Sequence, residues 1–171
     1  MNLNNMKSAG SIFLEIQTDL EAKGFKFERV DFNRPWGGFF VIHESQAKLF
    51  LETYYREDDS LSLTKGGLIS PKILVVLPQK RLSWQYHHRR SEVWKLIEGE
   101  AGVIKSMTDE EGAIKVLAVG EKIILQQGER HRLVGLDNIG MIAEIWQHTD
   151  QSHPSDENDI VRLQDDFNRK S

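Results

Sequence analysis

The stretch LSWQYHHRRSEVW, residues 82–94, sets Gln85, His87 and Glu92 in the order Gln-x-His-x4-Glu, and Gly99 follows seven residues after Glu92. In an extended chain alternate side chains share a face. Gln85 and His87 then point one way, while Trp84, Tyr86 and His88 point the other. Polar side chains turned towards a protein interior are costly unless something binds them. A second element, GERHRL at 128–133, places His131 three residues after Gly128. A Gln/His pair on one strand, a Glu beyond a turn and a His from a later hairpin can converge inside a small barrel. They would bring together an amide oxygen, two imidazoles and a carboxylate. That donor set suits a divalent ion such as Zn, Mn, Fe, Co or Ni and leaves coordination positions open for a substrate.

Each of these residues also has a plainer reading. His87 and His88 fit a solvated surface strand, Glu92 a surface ion pair with Arg89 or Arg90, and His131 a hydrogen-bonded core histidine. Trp36, Trp84, Trp94 and Trp146 could line a sugar-binding wall, although core packing accounts for most tryptophans. His43, His148 and His153 have no partner spacing, and the DEND run, Asp156 to Asp159, reads as solvated charge. The Gly-x-x-His element favours the ligand reading, because Glu92 and His131 then fall in register with Gln85 and His87.

The elements that must position these residues are mostly strands. From residue 69 onward the chain runs as short β-rich segments, PKILVVLP, LSWQYHH, SEVWKLIEGEAGVIKS, IKVLAV, EKIILQQ, HRLVGL and GMIAEIWQH, separated by Gly, Pro and Asp-Glu turns. TDEEG, between AGVIKS and AIKVLAV, is a hairpin signal. Many short antiparallel strands without long intervening helices predict an all-β core, a barrel or jelly roll. Ahead of it, residues 11–23 and 44–55 have helical spacing, with strands over 25–32 and after the RPWGG turn. One domain over 1–171 is expected: a helical and strand cap over 1–68, the barrel over 69–150 and a helical or irregular strap over 151–171. The polar stretch before Gly66 and Gly67, in the 56–68 loop, could close over a bound substrate.

Composition excludes several classes. The 171 residues are 39% hydrophobic and 28% charged with a formal net charge of -4, without the basic stripe of a nucleic-acid binder. No apolar run reaches membrane-spanning length. The absence of cysteine removes disulfides and thiolate ligands, and the N-terminal residues lack a secretory apolar core; a cytoplasmic protein is expected.

These motifs resemble the cupin superfamily, and more narrowly the cupin domain of type II mannose-6-phosphate isomerases, which is often fused to mannose-1-phosphate guanylyltransferases. The matching stretches are RPWGGF (34–39), SPKILVVLP (70–78), LSWQYHHRRSEVWKLIEGEA (82–101), GERHRL (128–133) and DENDIVRLQDDFNR (156–169). The resemblance implies a double-stranded β-helix in which Gln85, His87, Glu92 and His131 bind one divalent metal, Zn first, with Mn, Fe, Co or Ni as the others. It implies a sugar-phosphate substrate and, by analogy with other cupins, a homodimer. Arg132, Lys72 and Arg90 are then the candidates for the substrate phosphate, with Arg132 also counted among the catalytic residues. Interconversion of an aldose and a ketose moves a proton from C2 to C1 through an enediol, so a metal acting as Lewis acid and a base are both needed. Glu144 is the first candidate for that base and Lys95 the second.

Arg89 stands where this family usually has a third histidine, and Gln126 where it has a proline. The 44–68 segment is an addition, and QHTDQSHPSDEN replaces a shorter glycine-rich stretch. These departures bear on the substrate, and a heptose phosphate is an alternative to mannose 6-phosphate. Two rival functions remain open at this point, a non-catalytic cupin that binds a sugar or sugar phosphate and a metal-dependent oxygenase of the same fold.

Overall fold

The computed structural model describes residues 7–56 and 69–169; the expected loop closure falls mainly on residues 57–68, outside the described residues. Helix α1, Ala9–Ala22, is started by Ser8, whose Oγ accepts the Ser11 N–H at 3.2 Å, and it buries Phe13, Ile16 and Leu20. Gly24, at a φ of +93°, ends it. A single 3₁₀ turn, Glu44–Gln46, leads into α2, Ala47–Tyr54, which buries Phe50 and Leu51.

The strands are β1 (Phe27–Arg34), β2 (Gly37–Ile42), β3 (Ile69–Val76), β4 (Trp84–Tyr86), β5 (Arg90–Ser106), β6 (Lys115–Val116), β7 (Lys122–Leu125), β8 (Arg130–His148) and β9 (Val161–Gln164). The sheet runs β1-β2-β3-β8-β4-β9, and β5 pairs with β6, β7 and β8. All pairings are antiparallel. The sheet curls so that one face meets the helices and the other encloses the site.

Alternation along the strands sorts two cores. Phe40, Ile42, Ile73, Val75, Val93, Ala143 and Ile145 pack against the helical residues Phe13, Leu20 and Phe50 and against Tyr55 just beyond α2. Leu74, Val76, Trp94, Leu96, Leu125, Leu133 and Ile142 pack on the inner side with Trp36 and Phe39. Tyr55 ties the layers together by donating its hydroxyl to the Ala143 carbonyl at 2.6 Å. Burying a side chain of this size is worth about 1.5–3 kcal/mol, so the inner core can hold several polar groups in place.

Three local expectations are corrected. HRLVGL and GMIAEIWQH are one strand, β8, which bends against β5 without breaking. Gly99 makes that bend possible: its φ is +78°, and a Cβ there would lie 1.8 Å from the Ile139 carbonyl oxygen. IKVLAV forms a strand only at Lys115–Val116, because Leu117 then turns inward and Gly120 closes a turn at a φ of +88°. The 151–171 strap, expected as helical or irregular, contributes β9 to the sheet, with Gln85 opposite Arg162 and Tyr86 opposite Val161. Exposed backbone on the short β4 offers this segment a ladder, and pairing overrides its helical spacing. Among the described residues, no helix is long and apolar enough to cross a membrane.

Candidate metal centre

His87, Glu92 and His131 are all buried, and one ligand atom from each lies within 4.8 Å of the others. β4 delivers Gln85, the turn after it His87, β5 Glu92 and β8 His131; Gln85 and His131 are direct cross-strand partners. His88 is exposed and does not join the cluster. The period-two alternation places it on the outside, with its ring against Tyr86.

The outer hydrogen bonds fix both imidazoles. His87 Nδ1 donates to the Asp159 carbonyl at 2.6 Å and His131 Nδ1 to the Glu129 carbonyl at 2.9 Å. Each Nε2 lone pair therefore faces Glu92, at 3.2 Å from Oε1 for His87 and 3.5 Å from Oε2 for His131. Acceptors facing acceptors repel unless a cation lies among them. His131 Nε2 is buried without a hydrogen-bond partner. These atoms fit a divalent metal ion. The Gln85 amide nitrogen is 3.5 Å from His87 Nε2 while its oxygen accepts from Ser83 Oγ at 2.6 Å. Half a turn of the amide would offer the oxygen to the cluster and leave the nitrogen to donate to Ser83.

Arg90 supplies part of the positive charge. It donates to Glu92 Oε1 at 2.8 Å and to His87 Nε2 at 3.1 Å, stacks 3.5 Å above the Trp146 ring, and reaches Ser155 and the Asp156 carbonyl. Burial pushes the Glu92 carboxyl up, but Arg90, His87 and His131 outweigh it and hold it well below the usual carboxylate range. Burial pulls His87 down, which keeps it neutral and able to coordinate.

Glu144 stands on β8 with Lys72 opposite on β3 and Trp94 opposite on β5. Its two oxygens accept the indole N–H groups of Trp94 and Trp146, each at 2.8 Å. Trp94 Nε1 also lies 3.0 Å from Glu92 Oε2, so one indole serves both carboxylates. Burial and the nearby Glu92 charge raise Glu144 to about 7. Lys72 sits 4.2 Å from the Trp146 ring centroid and 4.9 Å from that of Phe39, and pairs with Glu157 at 3.1 Å.

A cleft of about 170 Å³ opens over this group, lined among others by Gln85, Glu92, Glu144, Lys72, Arg90 and Trp146. Arg132 and Lys95 are not among its lining, which corrects the expectation for both. Arg132 follows His131 and so points to the opposite face, where it donates to the Leu82 carbonyl, Glu111 and Gln164. Lys95 shares the outer face of β5 with Val93, its ammonium 5.4 Å from the Tyr55 ring centroid.

Sequence reasoning missed the burial of Asp159, the indole bond from Trp94 to Glu144 and the strap's hold on His87. Asp159 is 3% exposed, not part of a solvated run. Its carboxylate accepts the N–H groups of His88 and Arg89 at 2.9 Å and the Ser155 hydroxyl at 2.6 Å. The charge run carries no local signal of this, because its neighbours Asp156 and Glu157 are exposed. His148, left without a partner in the sequence, accepts the Ser155 N–H at 3.0 Å and lies 2.9 Å from Ser70 Oγ, anchoring the strap. Gln126, in the proline position, donates its N–H to Glu129 Oε1 at 3.0 Å, a bond that proline would lack.

A curled antiparallel sheet that gathers His87 from the turn after β4, Glu92 from β5 and His131 from β8 has the architecture of a cupin. The family model for the C-terminal part of mannose-6-phosphate isomerase matches residues 51–165. The chain belongs to that family. A mannose-1-phosphate guanylyltransferase of Salmonella typhimurium is 31% identical over 108 residues, 63% of this chain and 21% of that protein. The corresponding Escherichia coli protein is 32% identical over the same shares. The chain thus spans about a fifth of the length of these relatives. Among solved structures, tomato vicilin has a TM-score of 0.51 at 15% identity, over 79% of this chain and 33% of that one, a likeness of fold alone.

Proposed function

We propose that the protein is a metal-dependent isomerase interconverting aldose and ketose sugar phosphates, of the mannose 6-phosphate/fructose 6-phosphate type, with a heptose phosphate as the second candidate. Family membership supports a sugar-phosphate protein, and one observation carries the step to isomerase. Glu144, raised to about 7, lines the same cleft as Glu92, the carboxylate of the His87, Glu92 and His131 cluster, and shares the Trp94 indole with it. A carboxylate with that proton affinity can both take a proton and return it near neutral pH.

Gln85, His87, Glu92 and His131 would hold the metal, which when bound supplies Lewis-acid stabilisation of charge on adjacent substrate oxygens. Glu144 takes the proton from substrate C2, the C–H electron pair becomes the C1–C2 double bond, and the carbonyl oxygen receives a proton. The O2 hydroxyl then loses its proton, its electron pair forms the C2 carbonyl, and the C1–C2 double-bond pair takes a proton at C1, which completes the ketose. The Trp94 and Trp146 indoles hold the Glu144 carboxylate in position, and Arg90 and Lys72 keep the cleft positive. The same reading makes the protein a cytoplasmic homodimer.

Elemental analysis followed by an isomerase assay tests this with mannose 6-phosphate, fructose 6-phosphate and a heptose phosphate. Stoichiometric metal and turnover lost in both His131→Ala and Glu144→Gln is the expected result. Turnover unaffected by Glu144→Gln removes that residue as the base. The rival reading, a non-catalytic sugar-phosphate binder, is favoured by the engagement of both Glu144 oxygens by indoles. Ligand binding without turnover on any of the three sugars would establish it.

A further inference from the structure

Three arginines that this mechanism leaves unused line the same cleft: Arg34 at the end of β1, Arg162 on β9 and Arg169 beyond it. Arg162 is the cross-strand partner of Gln85. Directly opposed residues on antiparallel strands share a face, with Cβ atoms about 5 Å apart, so Arg162 rises beside the proposed metal ligand. Its neighbours are also cationic. Burial lowers the proton affinity of Arg162, and the charges of Arg169 and Arg34 lower it further against the opposing pull of Asp165 and Glu157. Gathering guanidinium groups at a half-buried wall is unfavourable unless anions are held there.

Single carboxylates engage Arg34 and Arg169. Asp31 takes the Nε side of Arg34 at 3.1 Å, and Asp165 takes Nε and one terminal nitrogen of Arg169 at 2.8 and 2.9 Å. A guanidinium carries five N–H donors, so each keeps more to offer. The other cleft cations are more fully engaged. Lys72 is held by Glu157 and two aromatic rings, and Arg90 by Glu92, His87, Ser155 and Asp156. Trp36 and Phe39 add an apolar wall next to Arg34, whose guanidinium carbon is 5.4 Å from the Phe39 ring centroid.

We infer that Arg34, Arg162 and Arg169 form the subsite for a phosphate monoester, the anionic end of the substrate. The inference rests on the sugar-phosphate reading of the cleft, and it assigns the phosphate to the strap and the β1 end instead of to Lys72, Arg90 or Arg132. A dianion with three acceptor oxygens matches several guanidinium forks better than a single carboxylate does.

Calorimetric titration of the whole chain with inorganic phosphate tests it without any turnover. Arg162→Gln and Arg169→Gln are expected to weaken phosphate binding about ten- to a hundredfold, the loss of one or two charge-assisted hydrogen bonds. His131→Ala is expected to bind phosphate as the wild type does. Mannose 6-phosphate should compete with phosphate and mannose should not. If Arg162→Gln does not fold, Arg34→Gln, at a position 34% exposed, carries the same expectation. Wild-type affinity in these variants overturns the subsite, as does absence of phosphate binding by the wild type. Loss of binding in His131→Ala alone moves the anion to the metal. Phosphate binding without turnover keeps the subsite and removes the isomerase. Turnover with an unchanged KM in Arg162→Gln does the reverse.

Discussion

Asp159 and His87 are 72 residues apart in sequence and joined by the Asp159 backbone carbonyl. The Asp159 carbonyl fixes the His87 ring, and its carboxylate caps the His88 and Arg89 amides that follow. Three donors aimed at one carboxylate outweigh its burial and hold Asp159 at about 2. The strap thus sets the orientation of a proposed metal ligand. Replacing such an outer partner typically lowers metal affinity about 10–100-fold. Asp159→Ala keeps the Asp159 carbonyl but frees it from the His88 and Arg89 amides that seat it. Metal affinity should therefore fall towards the lower end of that range, as read by competition with a chromogenic chelator, while an unchanged affinity would mean that the turn holds His87 by itself.

Glu144 gives a pH dependence with a definite sign. Its carboxyl rises from 4.5 to about 7 on folding, because burial and Glu92 disfavour its charge. Between those values the folded state binds more protons than the unfolded one, so this group's contribution is fully present below about pH 4.5 and is lost as pH rises through about 7. The full difference is about 3 kcal/mol in the metal-free protein. Urea unfolding of wild type and Glu144→Gln across that window should show the wild type losing stability relative to the variant. Parallel curves would put the proton elsewhere.

The inner half of the site was readable because its information is periodic. Alternation in β4 fixes that Gln85 and His87 share a face, and the spacing to Glu92 and His131 places them on strands that meet. The same rule, applied one residue further, excludes Arg132 from the cleft, since a neighbour of His131 on β8 must face away. What could not be read depends on contacts distant in sequence. Whether β9 docks on β4 is decided by pairing across more than seventy residues, and Asp159 is indistinguishable from Asp156 until it docks. The β8 bend depends on Gly99, on another strand.

Arg132 is an ionic support of the barrel wall. It is fully buried, donates to the Leu82 carbonyl at 2.9 Å and to Glu111 at 2.6 Å, and also meets Gln164. Arg132→Met should lower stability by about 2–3 kcal/mol, since it leaves a buried carbonyl and a half-exposed carboxylate without their donor. Phosphate affinity should stay at the wild-type value. A folded variant that loses phosphate binding would restore this residue to the substrate site.

Gly128 governs how His131 arrives. Its φ is +77°, its N–H donates to the His87 carbonyl at 3.0 Å, and the next residue, Glu129, supplies the carbonyl that holds His131. A methyl group here would meet nothing within 4 Å, so a Gly128→Ala variant isolates the backbone term. A non-glycine residue in the left-handed region costs about 1–2 kcal/mol. For a chain of this size that lowers Tm by about 2–4 °C per kcal/mol. Asn tolerates this conformation better than Ala, so Gly128→Asn should recover part of the loss. If the turn sets the ligand geometry, metal affinity should fall in the same order, Gly128, then Asn, then Ala. Equal metal affinity across the three, with only Tm changing, would show that His131 is held by its own strand and not by the turn before it.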